Sequence, residues 1–487
     1  MFTFKKIELK DEIGRYINDK KLQSALKEES TQQRLGLIAQ VIQDAARDSS
    51  LTTFSGRTYF FNGRVYEPIE PNAFSDFIYD LMREIGVKAG DILFKGRDVV
   101  RMANMAVQRK TIQYDPNKIC FTNGVYDIKN DKFSDFSPKH CVFTAVDYPF
   151  DPAQDSPENA YLWHRFLREV LPDEGARDVL QEFLGLLFID RKEIKVDVML
   201  FMLGRGANGK SVIFNVINGL IGSANISNYD LSDLITSKDK SHNLASINGK
   251  RLNYCSDISA KVINSESFKA IVSGEPQPAR FLYGNPFMAY DMPFIIANGN
   301  SMPPTQDLSD GFFRRVLILP FQVEIPIEKQ NPRLSSELAT EYTAIFNWIL
   351  QGRKRIIKNK FKFSTSEVIR TANLQYKCDN NNVYEWVRSM EFRSTELGYE
   401  ARKYMSAQWL YDFYIEWCKR YSEPIYTRTK WGRSMAYLGF QKRRFENGTT
   451  YLVYGIPHTK YKTGTVHIEQ PEGMIKKLLV GRTYDKI

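Results

Sequence analysis

Apolar positions recur at helical spacing in AYLWHRFLREVL (160–171) and DVLQEFLGLLF (178–188), predicting two amphipathic helices. A continuous apolar run, VDVMLFML (196–203), follows and predicts a buried strand. A Gly-rich loop separates it from a helix that aligns Ile213, Val216, Ile217 and Leu220 on one face. Further strands are predicted at RLNYCSD (251–257), MPFIIANGN (292–300) and VLILPF (316–321). Strands alternating with helices imply an α/β core with a mainly parallel sheet. Before this core the chain alternates apolar and polar residues in RTYFFNGRVYEPI (57–69), with Asn62-Gly63 suggesting a type I′ hairpin, and in ICFTNGVYDI (119–128). After about residue 345 the pattern becomes helical and basic, as in GRKRIIKNKFKF (352–363).

These patterns divide the chain into a helical arm (1–50), an α+β N-terminal domain (51–188), an α/β domain (189–345), a basic helical linker (346–395), a compact unit (396–456) and a basic tail (457–487). The compact unit reads as a helix in AQWLYDFYIEW (407–417), a basic helix in TRTKWGRSMAYL (427–438), and two strands about Asn447-Gly448. That is a winged-helix order. Arg428, Lys430 and Arg433 on the basic helix, and Lys442, Arg443 and Arg444 on the wing, are its candidate DNA contacts. A winged helix used for protein contacts is the plainer alternative.

Composition is that of a globular chain, 43% hydrophobic and 25% charged, and no stretch has the apolar length of a membrane span. The charged N-terminus has no apolar signal segment, which predicts a cytoplasmic protein with no membrane partner. The five cysteines are scattered and form no CxxC pair, so neither a disulfide framework nor a zinc finger is expected. Net charge is +10, of which +9 falls between Ala401 and Ile487. A basic module on a nearly neutral body fits a polyanion held at one end, DNA above all, although a merely solvated basic surface fits the charge as well.

The sharpest chemistry lies at Gly204-Arg205-Gly206-Ala207-Asn208-Gly209-Lys210-Ser211, which fits GxxxxGK[ST]. Small residues let backbone N–H groups turn inward around a triphosphate, Lys210 supplies a cation to the β- and γ-phosphates, and Ser211 offers a hydroxyl to Mg²⁺. The expected cofactors are therefore ATP and Mg²⁺. The motif follows an apolar strand and opens an amphipathic helix, the context its mechanism requires. An acidic group near the metal is expected at the end of a strand neighbouring the P-loop strand, and Asp257 is the candidate, against the alternative of a turn-capping aspartate.

From here the sequence resembles the helicase half of phage and plasmid primase–helicases, in superfamily three. The resemblance runs in order through NGVYDI (123–128), the DYPFDP turn (147–152), GRGANGKS, GKRLNYCSD (249–257), FKAIVSGEPQPARFLYGNPF (268–287), IIANGNSMP (295–303) and GFFRRVLILPF (311–321). It implies an AAA+ fold, ATP-driven DNA unwinding in replication of a phage or mobile element, and a ring, expected to be a homo-hexamer. It also implies that Asn300, or Asn298 two positions earlier, senses the γ-phosphate or the attacking water. Arg314 and Arg315 would include an arginine finger serving a neighbouring subunit. A hairpin in PARFLYGNPFMAYDM (278–292), turning at Tyr283-Gly284-Asn285-Pro286, would track single-stranded DNA with Lys269, Arg280 and Tyr283; core packing is the plainer reading for Phe281 and Phe287. The family's second acidic strand commonly ends in serine–glutamate with another acid two residues on, whereas here Asp257 and Ser259 hold those positions. That difference favours an origin-binding initiator in which ATP drives assembly; a small-molecule P-loop kinase would leave the basic module unexplained. Little chain precedes NGVYDI, so a primase, if required, is expected to be a separate protein.

Overall fold

The computed structural model describes residues 34–36, 38, 40, 42–44, 50–54, 57–84, 86–108, 115, 117–256, 265–282, 284–305, 307–394, 402–445 and 448–454. After helical residues at 34–36 and 42–44 comes a three-stranded antiparallel sheet, β1 (Leu51–Phe54), β2 (Arg57–Phe61) and β3 (Tyr66–Ile69). The expected hairpin is present, but its loop is four residues long: Phe61 pairs with Tyr66, and Asn62 Oδ1 accepts from the backbone N–H of Arg64 and Val65. An asparagine that caps its own turn in this way replaces the two-residue type I′ turn. Helices α1 (Pro71–Glu84) and α2 (Ala89–Gln108) pack on this sheet around a core of their own, with Leu35, Ile38 and Ile42.

A second antiparallel sheet follows, β4 (Lys118–Phe121), β5 (Gly124–Asp127) and β6 (Lys132–Ser134). Asn123 fastens the next turn to it, accepting from the N–H of Phe150 and donating to its carbonyl, both at 2.9 Å. Phe121, Tyr126 and Phe150 thereby join the core of the α/β body, together with α3 (Tyr161–Val170) and α4 (Glu174–Leu186). The stretch 51–188 thus contains two cores, of which the second is continuous with the α/β body.

The body is a five-stranded, all-parallel sheet. Along the chain it contains β7 (Met199–Leu203), α5 (Lys210–Ile221), β8 (Ile226–Ser227), α6 (Leu231–Ile235), α7 (Lys240–Ile247), β9 (Leu252–Cys255), α8 (Ser265–Val272), the short hairpin β10 (Gln277–Ala279) and β11 (Phe287–Ala289), β12 (Phe294–Gly299), α9 (Asp310–Phe313) and β13 (Val316–Pro320). The spatial order is β13-β7-β12-β9-β8, every pair parallel. Both faces are covered, as a parallel sheet requires. Leu200, Met202 and Ile296 enter one core; Met199, Phe201 and Ile295 enter the other.

The region 346–395 is not a linker. Helices α10 (Leu334–Ala339), α11 (Tyr342–Lys358) and α12 (Glu367–Asn380) belong to the body. Ile345, Ile349 and Ile356 of α11 lie in the main core, and its cations sit on the opposite, solvent side or pair inward. Arg355 reaches the fully buried Glu182 at 2.7 Å. Helices α4 and α11 touch backbone to backbone: a Cβ on Gly352 would stand 2.3 Å from the Gln181 carbonyl. Along the outer edge of the sheet, Asn373 of α12 accepts the Ile318 N–H at 3.0 Å, satisfying an edge strand.

A last unit contains α13 (Asn382–Ser389), β14 (Arg402–Ser406), α14 (Ala407–Tyr421), α15 (Arg428–Tyr437), β15 (Lys442–Phe445) and β16 (Gly448–Tyr454), with sheet order β14-β16-β15. Trp386, Tyr414, Trp431 and Met435 form its core. The two helices and two strands expected from the sequence are present. Helix α13 and strand β14, which the apolar pattern does not predict, complete the unit.

Candidate nucleotide and nucleic-acid sites

The P-loop connects β7 to α5 at the C-terminal edge of the sheet. Gly206, Ala207 and Gly209 have φ of +126°, +46° and +84°, which turns successive peptide N–H groups toward one side. Gly204 is required for packing, since a Cβ there would lie 2.2 Å from Asn208 Nδ2 and 2.6 Å from the Phe321 carbonyl. Gly209 rests on Phe166 and Val170 of α3, whose N-terminal N–H groups at Leu162 and Trp163 are capped by Glu341 at 2.9 Å. The loop is tied on its other side by the Ile325 N–H to the Ala207 carbonyl at 2.8 Å.

Lys210 is 5% exposed and turns back into this loop, donating to the Gly204 carbonyl at 2.6 Å and to Asn208 Oδ1 at 2.8 Å. Burial pulls its ammonium below the ordinary lysine value. Arg205 and Ser211 are exposed at the mouth of the loop and the start of α5. Among the described residues no three His, Cys, Asp or Glu side chains come together as a metal cage. A lone hydroxyl at Ser211 suits a hard cation shared with phosphate oxygens and water.

The strands that flank β7 are β12 and β13, not β9. The expectation that Asp257 follows a strand adjacent to the P-loop strand is therefore corrected: β12, later in sequence than both, is inserted between β7 and β9. Asp257 itself, like Tyr283, lies outside the described residues. Strand β12 instead brings the asparagines. Asn298 pairs in register with Met202, and the Gly299 carbonyl accepts the Gly204 N–H at 3.1 Å. Asn298 Oδ1 is buried without a hydrogen-bond partner, and Tyr254 lies beside this amide with its phenol pushed up to about 12 by burial. Asn300, one residue past the end of β12, is exposed.

The two arginines part company. Arg315 is 8% exposed and points inward, with Asp197 at 3.4 Å, Ser273 Oγ at 2.9 Å and the Gly311 carbonyl at 2.5 Å. Arg315 is thus held inside the fold, whereas Arg314 is exposed. Both stand at the N-terminal end of β13, where Val316 pairs with Met199, while the P-loop leaves the opposite end of β7. The five residues of β7 alone separate those ends by roughly 13 Å at about 3.3 Å per residue.

The candidate DNA residues separate in the same way. Lys269 is bound to Asp307 at 2.5 Å and to Ser309 Oγ at 3.2 Å, which ties the loop before α9 to α8. Arg280 is exposed at the base of the β10–β11 hairpin, its Nε donating to the Gly284 carbonyl. Strand pairing ends at Ala279 and Phe287, giving a seven-residue tip in place of the four-residue turn. Phe281 and Phe287 stack at 5.7 Å, whereas Leu282, Met288 and Tyr290, which carry no motif in the sequence, are exposed on the hairpin. On α15, Arg428 bonds Gln408, Lys430 lies 3.4 Å from the centroid of the Tyr426 ring, and Arg433 is exposed. Lys442, Arg443 and Arg444 are all exposed along β15. The Lys250-Arg251 pair is internal: Lys250 bonds the Ala224 carbonyl and Arg251 the Leu187 carbonyl.

Known proteins match parts of this chain. Residues 3–172 match a family model described as D5 N terminal like, and residues 202–315 match a family of unknown function. Over 230 residues, 43% of this chain, the sequence is 27% identical to the "Putative helicase L207/L206" of Acanthamoeba polyphaga mimivirus. The match spans only 23% of that protein's length. Two solved structures of the NrS-1 C terminal region, both apo, are 11% identical, with TM-scores of 0.47 and 0.44; each covers 85% of this chain and 98% of its own. No helix among the described residues is long and apolar enough to cross a membrane.

Proposed function

We propose that the chain is an ATP-dependent DNA helicase of superfamily three, an AAA+ motor that works as a ring, expected to be a hexamer, in replication of a phage or mobile element. The observation that carries this reading is the opposition of two groups across one sheet: the P-loop at one end of β7 and the exposed Arg314 at the other. A subunit so built cannot bring its own arginine to its own nucleotide. Packed against a copy of itself, it can complete the neighbour's site.

ATP with Mg²⁺ would supply the phosphoanhydride whose hydrolysis drives the motor. The cradle of Gly204 to Gly209 binds the phosphates through inward N–H groups, and Lys210 leaves its two loop acceptors to meet them. Ser211 holds the cation, with Asp257 the proposed carboxylate. Asn298, whose Oδ1 is buried without a partner, and Asn300 beyond it are proposed to orient a water. Arg314 of the next subunit stabilises the charge that develops on the transferred phosphoryl oxygens. The C-terminal unit is proposed as a winged helix that holds duplex DNA with α15 and the β15–β16 wing, while the hairpin tip contacts single strands. The aspartate at position 257 keeps a second reading in play, an origin-binding initiator with weak unwinding, for which ATP serves assembly.

The test is subunit mixing. K210A has no working P-loop and R314A has no finger. Where fingers act in trans, two inactive proteins regain ATPase activity on mixing, because R314A offers P-loops and K210A offers arginines. Demonstrated subunit exchange without recovery contradicts the trans arrangement.

A further inference from the structure

Three consecutive asparagines join α12 to α13, and each bonds a different part of the molecule. Asn380 Oδ1 accepts the Thr305 N–H at 2.7 Å, and its carbonyl accepts the Tyr426 hydroxyl at 3.3 Å. Asn381, fully buried, donates through Nδ2 to Ser434 Oγ at 3.0 Å, and Ser434 is fully buried within the basic helix α15. Asn382 donates to the Pro424 carbonyl at 2.7 Å and accepts the Tyr414 hydroxyl at 2.8 Å. Capping α13 needs one of these asparagines, Asn381, whose Oδ1 accepts the Val383 N–H. Two bonds link the body to the C-terminal unit, Asn381 to Ser434 and the Tyr426 hydroxyl to the Asn380 carbonyl, while Asn380 Oδ1 binds within the body and Asn382 within the C-terminal unit. Buried amides left without partners would be costly, so a joint built from them holds one arrangement firmly.

On the body side, Thr305 begins a ladder that ends at the exposed arginine. Thr305 Oγ1 accepts the Asp307 N–H at 3.1 Å, Asp307 Oδ1 the Ser309 N–H at 2.9 Å, and Ser309 Oγ the Phe312 N–H at 3.3 Å. The Arg314 N–H then closes on the Asp310 carbonyl at 3.0 Å. Helix α12 grips the same segment twice more: Tyr376 donates to the Pro303 carbonyl at 2.8 Å, and Lys377 reaches Asp310 at 3.4 Å over the Phe313 ring. The stretch between Asn300 and Arg314 is therefore held from α12 as well as from α8 through Lys269, and the end of α12 is tied to the C-terminal unit through Asn381 and the Tyr426 hydroxyl.

We infer that Asn380 is a positioning residue for the hydrolysis site, and that the Asn380–Asn381 joint transmits the state of α15 to the Arg314 segment. Duplex DNA on the C-terminal unit thereby governs the rate of ATP hydrolysis. This rests on the ATPase reading above and adds to it the route by which the nucleic acid regulates the site. A displacement of α15 moves Ser434, and Asn381 must follow; its neighbour then shifts or releases Thr305, the first rung of the ladder.

The experiment measures steady-state ATPase of the full chain with and without duplex DNA in the wild type, N380A, N380D and S434A. N380A removes the acceptor for Thr305, N380D keeps one, and S434A cuts the joint from the other side. The wild type responds to duplex through kcat. N380A and S434A lose about fivefold of that response, the loss expected for one buried hydrogen bond, with the KM for ATP and the affinity for duplex unchanged. N380D restores it. A wild-type ATPase indifferent to duplex, or a full response in N380A, overturns the inference. Should N380A fail to fold by its melting curve, a full response in S434A overturns it equally. A wild type that hydrolyses no ATP under any condition instead defeats the ATPase reading on which it stands.

Discussion

Arg315 holds its guanidinium 3.4 Å from the carboxylate of Asp197, closing the end of the sheet opposite the P-loop, while its neighbour Arg314 is exposed. Two adjacent arginines thus have separable consequences. R315A removes the ion-pair partner of the mostly buried Asp197, leaving Arg191 as its nearby cation, and is expected to lower stability by about 3 kcal/mol. R314A is expected to melt with the wild type and to lose ATP hydrolysis. Urea denaturation and ATPase assays on the two variants make the comparison, and equal stability of both would remove Arg315 from its structural role.

Lys210 is held by two acceptors of its own loop, the Gly204 carbonyl and Asn208 Oδ1. K210A is expected to abolish hydrolysis and to leave duplex binding intact, because the basic surfaces of α15 and β15 belong to another core. Wild-type turnover by this variant would refute the site. G204A is expected to impair it as well, since the new methyl would displace Asn208, the partner of Lys210.

The exposed cations of β15 give a salt test. Replacing Lys442, Arg443 and Arg444 together with alanine in the full chain should weaken duplex binding and flatten its dependence on salt. The log–log slope falls by about 0.9 for each phosphate that the variant no longer neutralises. An unchanged slope would assign the wing to protein contacts.

Gly352 tests the packing beneath the site. G352A drives a methyl into the Gln181 carbonyl and should cost about 1–3 kcal/mol as α4 and α11 separate. The denaturant midpoint should drop with an unchanged slope; a neutral substitution would mean that the helices can part freely.

What the sequence revealed follows from what is local. A P-loop, apolar runs and helical stripes are written in consecutive residues, so β7, α5 and the later strands of the sheet fall where the pattern puts them. Strand order is not local. Insertion of β12 between β7 and β9 depends on crossovers that no single segment encodes, and it brings Asn298, not the end of β9, to the strand beside the P-loop. Charge misled in two places. The cations of α11 suggested a linker, yet Arg355 turns inward to Glu182 and Ile356 completes the core. Arg315 matched Arg314 in type, and only the tertiary position of Asp197 tells them apart. The asparagine joint carried no sequence signal, because three polar residues between helices read as a loop.

Strand separation driven by ATP hydrolysis is the activity proposed for this chain. A forked duplex with one labelled strand, incubated with the full chain, Mg²⁺ and ATP, measures it directly. The labelled strand is expected to be released with ATP, retained without it, and retained by K210A even while that variant binds the fork. Vigorous DNA-dependent ATP hydrolysis by the wild type with no strand released would contradict the proposed activity.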